Sequence, residues 1–117
     1  MLSEEQIAHI CHDANRALRR VLGDDSQAIW EESPEWQREA SVQGVINYCK
    51  HPDATPEIMH EWWRQGLVND GWQLGPVRDS ALKTHPCLVD YTELPEEERY
   101  KDILFYAIVH AMLSAKQ

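Results

Sequence analysis

Residues 60–99 have the sequence HEWWRQGLVNDGWQLGPVRDSALKTHPCLVDYTELPEEER, and the fold is predicted from this stretch outward. Its two ends have helical composition. The centre, GWQLGPVRDSALKTHPCLV from Gly71 to Val89, contains two glycines and two prolines and has no 3.6-residue period. Long loops without regular structure are uncommon in compact domains and are usually functional or disordered. The stretch therefore predicts two helices joined by a long loop.

Capping patterns predict four helices along the whole chain. Ser3 and Gln6 form a capping-box pattern, and Gly23 ends the first helix. Each later start combines a proline with a glutamate that complements the helix dipole: Ser33-Pro34-Glu35, Thr55-Pro56-Glu57 and Leu94-Pro95-Glu96. The predicted apolar stripe of the fourth helix comprises Ile103, Leu104, Ala107, Ile108, Ala111 and Met112. No stretch alternates convincingly as a strand, so the predicted class is mainly α.

Composition and charge argue against several classes of function. The net charge of −9 over 117 residues is unsuited to binding a nucleic-acid polymer or an anionic lipid surface. No apolar run is long enough to span a bilayer, and the N-terminus lacks a signal-peptide pattern. Three widely spaced cysteines without a CxxC motif are typical of a reducing compartment. We therefore expect a cytoplasmic protein that binds neither a nucleic-acid polymer nor a membrane.

The chain shows the spacing of an internal repeat. The matching positions are His12, Arg16 and Gly23 with His60, Arg64 and Gly71, and then Pro34, Glu35 and Arg38 with Pro95, Glu96 and Arg99. Coincidence is the alternative, because single identities at short spacing arise easily. The spacing predicts two pseudo-two-fold-related helix pairs in one domain, residues 1–117. The predicted quasi-repeats cover about 3–50 and 55–115, with an extra loop at 71–94.

The stretch from His60 to Arg99 resembles the ryanodine-receptor repeat (RyR) domain, whose pattern is HExW, GWxYGPxRD and a HPxLVPYxELPEEE-like end. The segments CHDANRAL and IWEESPEWQREA are similar to the N-terminal half of free-standing bacterial and phage members. The resemblance implies a small helical module with paired helices and a short β-hairpin-like segment before the last helix. Bacterial relatives suggest ligand sensing. In two departures, Leu74 stands where an aromatic residue is frequent, and Asp90 replaces a common proline.

The long loop is the candidate binding site. It carries Arg78 and Lys83 against one carboxylate, Asp79, on an otherwise acidic chain, which favours a single small anion. Arg78 could bind a phosphate or carboxylate with two parallel hydrogen bonds, and His85 could donate a further one. The predicted ligand-binding residues are Trp72, Arg78, Lys83, His85 and Tyr91. The expected ligand is small and anionic or nucleotide-like.

Three alternatives stay open at this level. The loop residues could serve packing alone, with Trp72 capping the core and Arg78 paired with Asp79 or with Glu93–Glu98. The module could instead bind a protein partner or form a homodimer, using the shared His12/Arg16 and His60/Arg64 positions. A zinc site or Cys–His catalysis at His9, Cys11, His12, His85 and Cys87 fits no established spacing. We therefore expect a non-catalytic protein without cofactor or metal.

Overall fold

The protein is described by a computed structural model covering residues 2–114. Its helices are α1 (Glu4–Val21), α2 (Glu35–Lys50), α3 (Pro56–Asn69) and α4 (Glu96–Ser114), with short 3₁₀ helices at Trp30–Glu32 and Tyr91–Glu93. Two strands, β1 (Gln73–Leu74) and β2 (Thr84–His85), lie between α3 and α4. The mainly α class with four helices is confirmed. The predicted domain limits at 1 and 117, and the end of the second quasi-repeat at 115, lie outside the described residues.

Two helix starts use the predicted capping residues, and one does not. In α1 the Ser3 hydroxyl accepts from Gln6 N at 3.1 Å, while Gln6 Oε1 accepts from Ser3 N at 2.8 Å. In α3 the Thr55 hydroxyl accepts from Ile58 N. Ser33 does not cap α2, because its hydroxyl donates to Ile29 O at 2.9 Å and its side chain is buried. Proline geometry, not a side-chain cap, therefore starts α2.

The segment between α3 and α4 is a long loop whose two strands pair in parallel. Gln73 pairs with Thr84 and Leu74 with His85, so the hairpin alternative is wrong. Between the strands the chain turns back an additional time through an antiparallel bridge between Asp79 and Thr84. Lys83 adopts a left-handed φ of 55° beside this bridge. The extra reversal makes β2 run in the same direction as β1.

The main core lies between α1, α2 and α4. Its buried members are Ile7, Ala8, Cys11, Trp30, Val45, Tyr48 and Val109. A second cluster contains Leu67, Trp72 and Leu88, with Trp36 and Trp63 packed against it. The predicted stripe of α4 is only partly buried, because Ile103 is 47% exposed and Ala107 and Ala111 are also exposed. Val109, which the predicted stripe leaves out, is completely buried instead. The predicted stripe was therefore displaced toward the exposed face of α4.

Each half contains an equivalent, partly buried hydrogen bond from a histidine to a backbone carbonyl. His12 Nε2 donates to Ala28 O at 2.8 Å, and His60 Nε2 donates to Val89 O at 2.9 Å. Each acceptor lies two residues before a 3₁₀ helix, which is followed by the proline that starts α2 or α4. We call these two bonds the histidine clasps. They close both halves in the same way, whereas the exact limits of the quasi-repeats stay a prediction.

Truncation of one core isoleucine and one exposed isoleucine tests this arrangement. Ile7→Ala should lower the free energy of unfolding by about 2–5 kcal/mol, because Ile7 is completely buried and the substitution leaves a cavity. Ile103→Ala removes the same atoms from an exposed helical position and should change stability by about 0.5 kcal/mol or less. Urea unfolding monitored by circular dichroism measures both. Equal losses in the two variants would contradict the described packing of α4.

Candidate functional site

A cavity of about 590 Å³ lies between the helices and the long loop. It is within the size range of small-molecule sites, roughly 300–1,000 Å³. Every helix contributes to its wall: α1 through residues from Cys11 to Arg19, α2 from Trp36 to Gly44, α3 from Pro56 to Trp63 and α4 from Glu98 to Phe105. The loop adds Val77, Arg78 and His85–Cys87. We call this space the central cavity.

Equivalent positions of the two halves line the central cavity. The pairs, in the register of the sequence repeat, are His12 and His60, Gln37 and Glu98, Ala40 and Lys101, Ser41 and Asp102, and Gly44 and Phe105. The last pair is in contact, since a Cβ on Gly44 would lie 3.1 Å from the Phe105 ring. In each of the three middle pairs, α4 supplies a charge where α2 is neutral. The cavity is therefore built by both halves but is polarised toward α4.

On the α1 side, one hydrogen-bond network fixes the orientation of Gln27. Arg19 Nη1 donates to Gln27 Oε1 at 3.2 Å, and arginine can only donate. Asn15 Nδ2 donates to the same oxygen at 2.8 Å, and Gln27 Nε2 lies 3.2 Å from His12 Nδ1. Arg19 is also paired with Asp24 at 2.6 Å. This part of the wall is consequently rigid, with each side chain held by its neighbour.

On the α4 side, His60 faces a carboxylate. Because Val89 O can only accept, His60 Nε2 carries a proton. His60 Nδ1 lies 3.5 Å from Asp102 Oδ2, so a neutral ring would direct a lone pair at a carboxylate. Burial opposes the charged ring, but Asp102 and the Val89 carbonyl outweigh it, and the pKa of His60 is raised. His60 and Asp102 thus lie side by side in the cavity wall, and Asp102 favours the protonated form of the ring.

Arg78 is the cation that the loop presents to the cavity. No hydrogen bond or ion pair of Arg78 occurs within residues 2–114, and the packing alternative of a bond to Asp79 or to Glu93–Glu98 is not found there. The Asp79 carboxylate instead accepts from Ala81 N and Leu82 N. Burial and then the nearby charge of Arg19 lower the pKa of Arg78. A guanidinium remains charged at neutral pH, so Arg78 is available to an anion.

His85 and Cys87 line the cavity beside Arg78. Burial, followed by the charge of Arg78, lowers the pKa of His85 to about 4, so the ring is neutral at physiological pH. Its Nδ1 accepts from Cys87 N at 3.1 Å, which leaves the proton on Nε2. Burial and then Glu98 raise the pKa of Cys87 to about 12. The thiol is therefore protonated and is unsuited to nucleophilic attack.

Of the five predicted site residues, the structure brings Arg78 and His85 to the cavity wall. Trp72 is buried in the second cluster, with its ring 4.4 Å from that of Trp36. Lys83 Nζ donates to Asp70 O at 2.8 Å, away from the cavity lining. Tyr91 packs behind the wall, 5.9 Å from the His60 ring. The role of all five in ligand binding stays a prediction.

Several wall residues were missed at the level of sequence. Arg19, Trp36, Trp63 and Lys101 line the cavity, and each lies on a different helix. Trp63 is the tryptophan of the HExW motif but was not named as a site residue, and Arg19 and Lys101 belong to no recognisable local motif. The register of the sequence repeat was the one usable signal, because it places Lys101 at the position equivalent to Ala40 of α2, and both residues line the cavity. His12 and His60 were considered as surface docking residues. Both are buried, so a partner's surface cannot reach them.

The remaining candidates from the sequence have structural surroundings. Within residues 2–114, no three His, Cys, Asp or Glu side chains are grouped so that they could hold a metal ion. His9 stacks on Trp30 at 5.2 Å, and Cys11 belongs to the main core. None of the described helices combines the length and hydropathy that a membrane crossing requires.

Comparison with protein families identifies one match. The family model described as RyR domain matches residues 46–114, more than half of the chain. The matched segment contains the second histidine clasp, the whole loop and the charged side of the cavity wall.

Substitution of Asp102 tests the charged state of His60. A raised pKa means that the pair stabilises the fold fully below about pH 6.5, the unfolded value for histidine, and loses this effect as pH rises through the folded value. Asp102→Asn should therefore cost about 1–2 kcal/mol near pH 6 and less near pH 9. Urea unfolding at several pH values measures this difference.

Glu39→Gln is the matched control, because it removes one carboxylate from an exposed position of α2. Its effect on stability should not follow the titration of His60. A cost of Asp102→Asn that is the same at both ends of the pH range would show that His60 is neutral in the folded protein.

Proposed function

The chain belongs to the RyR domain family, and from this premise we propose that it is a non-catalytic module that binds a small anionic, nucleotide-like ligand in the central cavity. Fold membership alone does not define chemistry, so the proposal depends on the cavity wall. The supporting observation is the charge balance of that wall, in which Arg78 is the cation left without a partner.

The other arginine and lysine side chains in the cavity wall, and also His60, each have a carboxylate partner. Arg19 is paired with Asp24 at 2.6 Å, Lys101 with Glu98 at 2.8 Å, and His60 with Asp102 at 3.5 Å. Arg78 has no such pairing in the described part of the chain. Arg78 is an exposed residue at the edge of the cavity, so its guanidinium is open to an anion and can bind a phosphate or carboxylate through charge-assisted hydrogen bonds.

Aromatic side chains support a ligand that also carries a ring. Trp36 and Trp63 both line the cavity, and the Trp63 ring lies 5.0 Å from the His85 ring in an edge-on arrangement. Flat aromatic faces stack on nucleobases with about 1–3 kcal/mol per base. A volume of about 590 Å³ accommodates a mononucleotide-sized molecule. Ring stacking and one free guanidinium together favour a nucleotide-like ligand over an inorganic anion.

A thermal-shift panel of mono-, di- and cyclic nucleotides, sugar phosphates and simple anions tests the proposal. A ligand at about 100 times its dissociation constant stabilises the folded state by about 2.7 kcal/mol. For a domain of this size, the midpoint should rise by roughly 5–15 °C. Arg78→Ala should raise the Kd of any active compound about ten-fold or more, measured by calorimetry, because a charge-assisted hydrogen bond is lost.

Lys83→Ala is the matched control. It removes one positive charge from the same loop, but Lys83 bonds to Asp70 and does not line the cavity. Its ligand affinity should stay within about two-fold of wild type, as expected for a charge outside the site. No binding by any compound of the panel, or equal losses in the two variants, would refute this cavity as the anion site.

A protein-interaction function is the second candidate, and the outer face of α4 favours it. Tyr100 and Ile103 are nearly half exposed, and Ala107 and Ala111 continue the same exposed strip. Such a strip could pack against a partner helix or against a second copy of the chain. Sedimentation velocity separates the candidates: concentration-dependent dimerisation that Ile103→Glu abolishes would support it, and a strict monomer would oppose a homodimer.

A further inference from the structure

The middle of the long loop, residues 75–83, is a compact unit that we call the flap. Thr84, the first residue of β2, holds the first half of the flap, because its hydroxyl donates to Val77 O at 2.8 Å and its backbone forms two hydrogen bonds with Asp79. The Asp79 carboxylate also accepts from Ala81 N and Leu82 N. These local bonds hold the flap in one shape, so any displacement would move it as a single piece.

One hydrogen bond connects the flap to the first half of the protein. Trp36 Nε1 donates to Ser80 Oγ at 2.7 Å, and among residues 2–114 no other hydrogen bond links residues 75–83 to the N-terminal helix pair. The bond is exposed to solvent, where water competes for both groups. A solvent-exposed bond of this kind contributes little net stability, so thermal motion breaks it readily.

The flap also lacks a large buried apolar surface. Leu82 is 73% exposed and Val77 is 65% exposed, in contrast to Trp72 and Leu88 at the ends of the loop, which are buried in the second cluster. The ends of the loop are held by packing, and the ends of the flap by the bonds Gln73 N to Lys83 O, Gly75 N to His85 O and Lys83 Nζ to Asp70 O. Between these ends, the Trp36–Ser80 bond is the one hydrogen bond from the flap to a helix within residues 2–114. Segments with few buried contacts open at the lowest free-energy cost.

The position of the flap relates this bond to the central cavity. Val77 and Arg78 of the flap and Trp36 of α2 all line the cavity, so the bond joins two parts of the same wall. Breaking it would allow the flap, with Arg78, to move away from Trp36. We propose that the flap is a gate to the central cavity and that the Trp36–Ser80 hydrogen bond is its latch. The identity of the ligand that would pass the gate rests on the proposed function, whereas the opening of the flap does not.

A thiol reagent detects opening without any ligand. Cys87 lines the cavity and its thiol is partly buried, so we expect it to react slowly while the flap is closed. Iodoacetamide labelling, located by peptide mass spectrometry, gives the rate at each cysteine separately. Cys49 is exposed and reports the intrinsic reactivity of the reagent. Cys11 is buried in the main core and reports global unfolding.

Two substitutions remove the latch from opposite sides. Ser80→Ala deletes the acceptor, and Trp36→Phe deletes the donor while keeping an aromatic ring in the wall. Each should raise the labelling rate of Cys87 roughly two- to ten-fold, the change expected for loss of one exposed hydrogen bond. The rates at Cys49 and Cys11 should stay at wild-type values. The double variant should label no faster than the faster single variant, because both changes remove the same bond.

Ser80→Thr is the conservative control, since it keeps the hydroxyl and should label at the wild-type rate. An unchanged Cys87 rate in Ser80→Ala and Trp36→Phe would overturn the gate. A parallel rise at Cys11 would also overturn it, because the opening would then be global unfolding. Failure of the nucleotide panel, together with faster Cys87 labelling, would instead overturn the proposed function and leave the gate supported.

Discussion

The two histidine clasps are the constraint on which the rest of the structure depends. Each uses a buried imidazole to satisfy a backbone carbonyl at the point where the chain turns into a 3₁₀ helix. A buried carbonyl without a partner costs about 1–3 kcal/mol, so the histidine determines where this turn can lie. The proline that starts α2 or α4 follows a few residues later. The clasps thereby set the separation of the helix pairs and the space between them.

The same bond has different electrostatic consequences in the two halves. His12 faces the side-chain amide of Gln27, whereas His60 faces Asp102, at a position where the first half has Ser41. Shared backbone geometry therefore places a neutral amide beside one clasp and a carboxylate beside the other. A pseudo-symmetric scaffold with chemically unequal walls would hold a bound ligand in one orientation, because the two ends of the cavity offer different partners.

Local sequence predicted the helices well because caps and prolines act within a few residues of where they stand. It also located the long loop and named Arg78 and His85, both of which line the cavity. Local pattern could not give the parallel pairing of β1 and β2, which depends on an extra reversal at Lys83. It also could not find Arg19 or Lys101, since these converge only after four helices have packed. Ile103 was misplaced because α4 is apolar around most of its circumference.

The ends and the middle of the long loop have different surroundings, which bears on the two roles, packing and ligand binding, that the sequence left open. Its ends supply Trp72 and Leu88 to the second cluster, where they pack with Leu67 of α3. Its middle contributes nothing to either core, yet it orders Asp79, Ser80 and Thr84 in a network whose result is to hold Arg78 at the cavity. Ordering these residues costs about 1–2 kcal/mol of conformational entropy for each one. The packing of the two clusters does not require this order. A binding function would use it, because it places Arg78, which has no ion pair or hydrogen bond within residues 2–114, in the cavity wall.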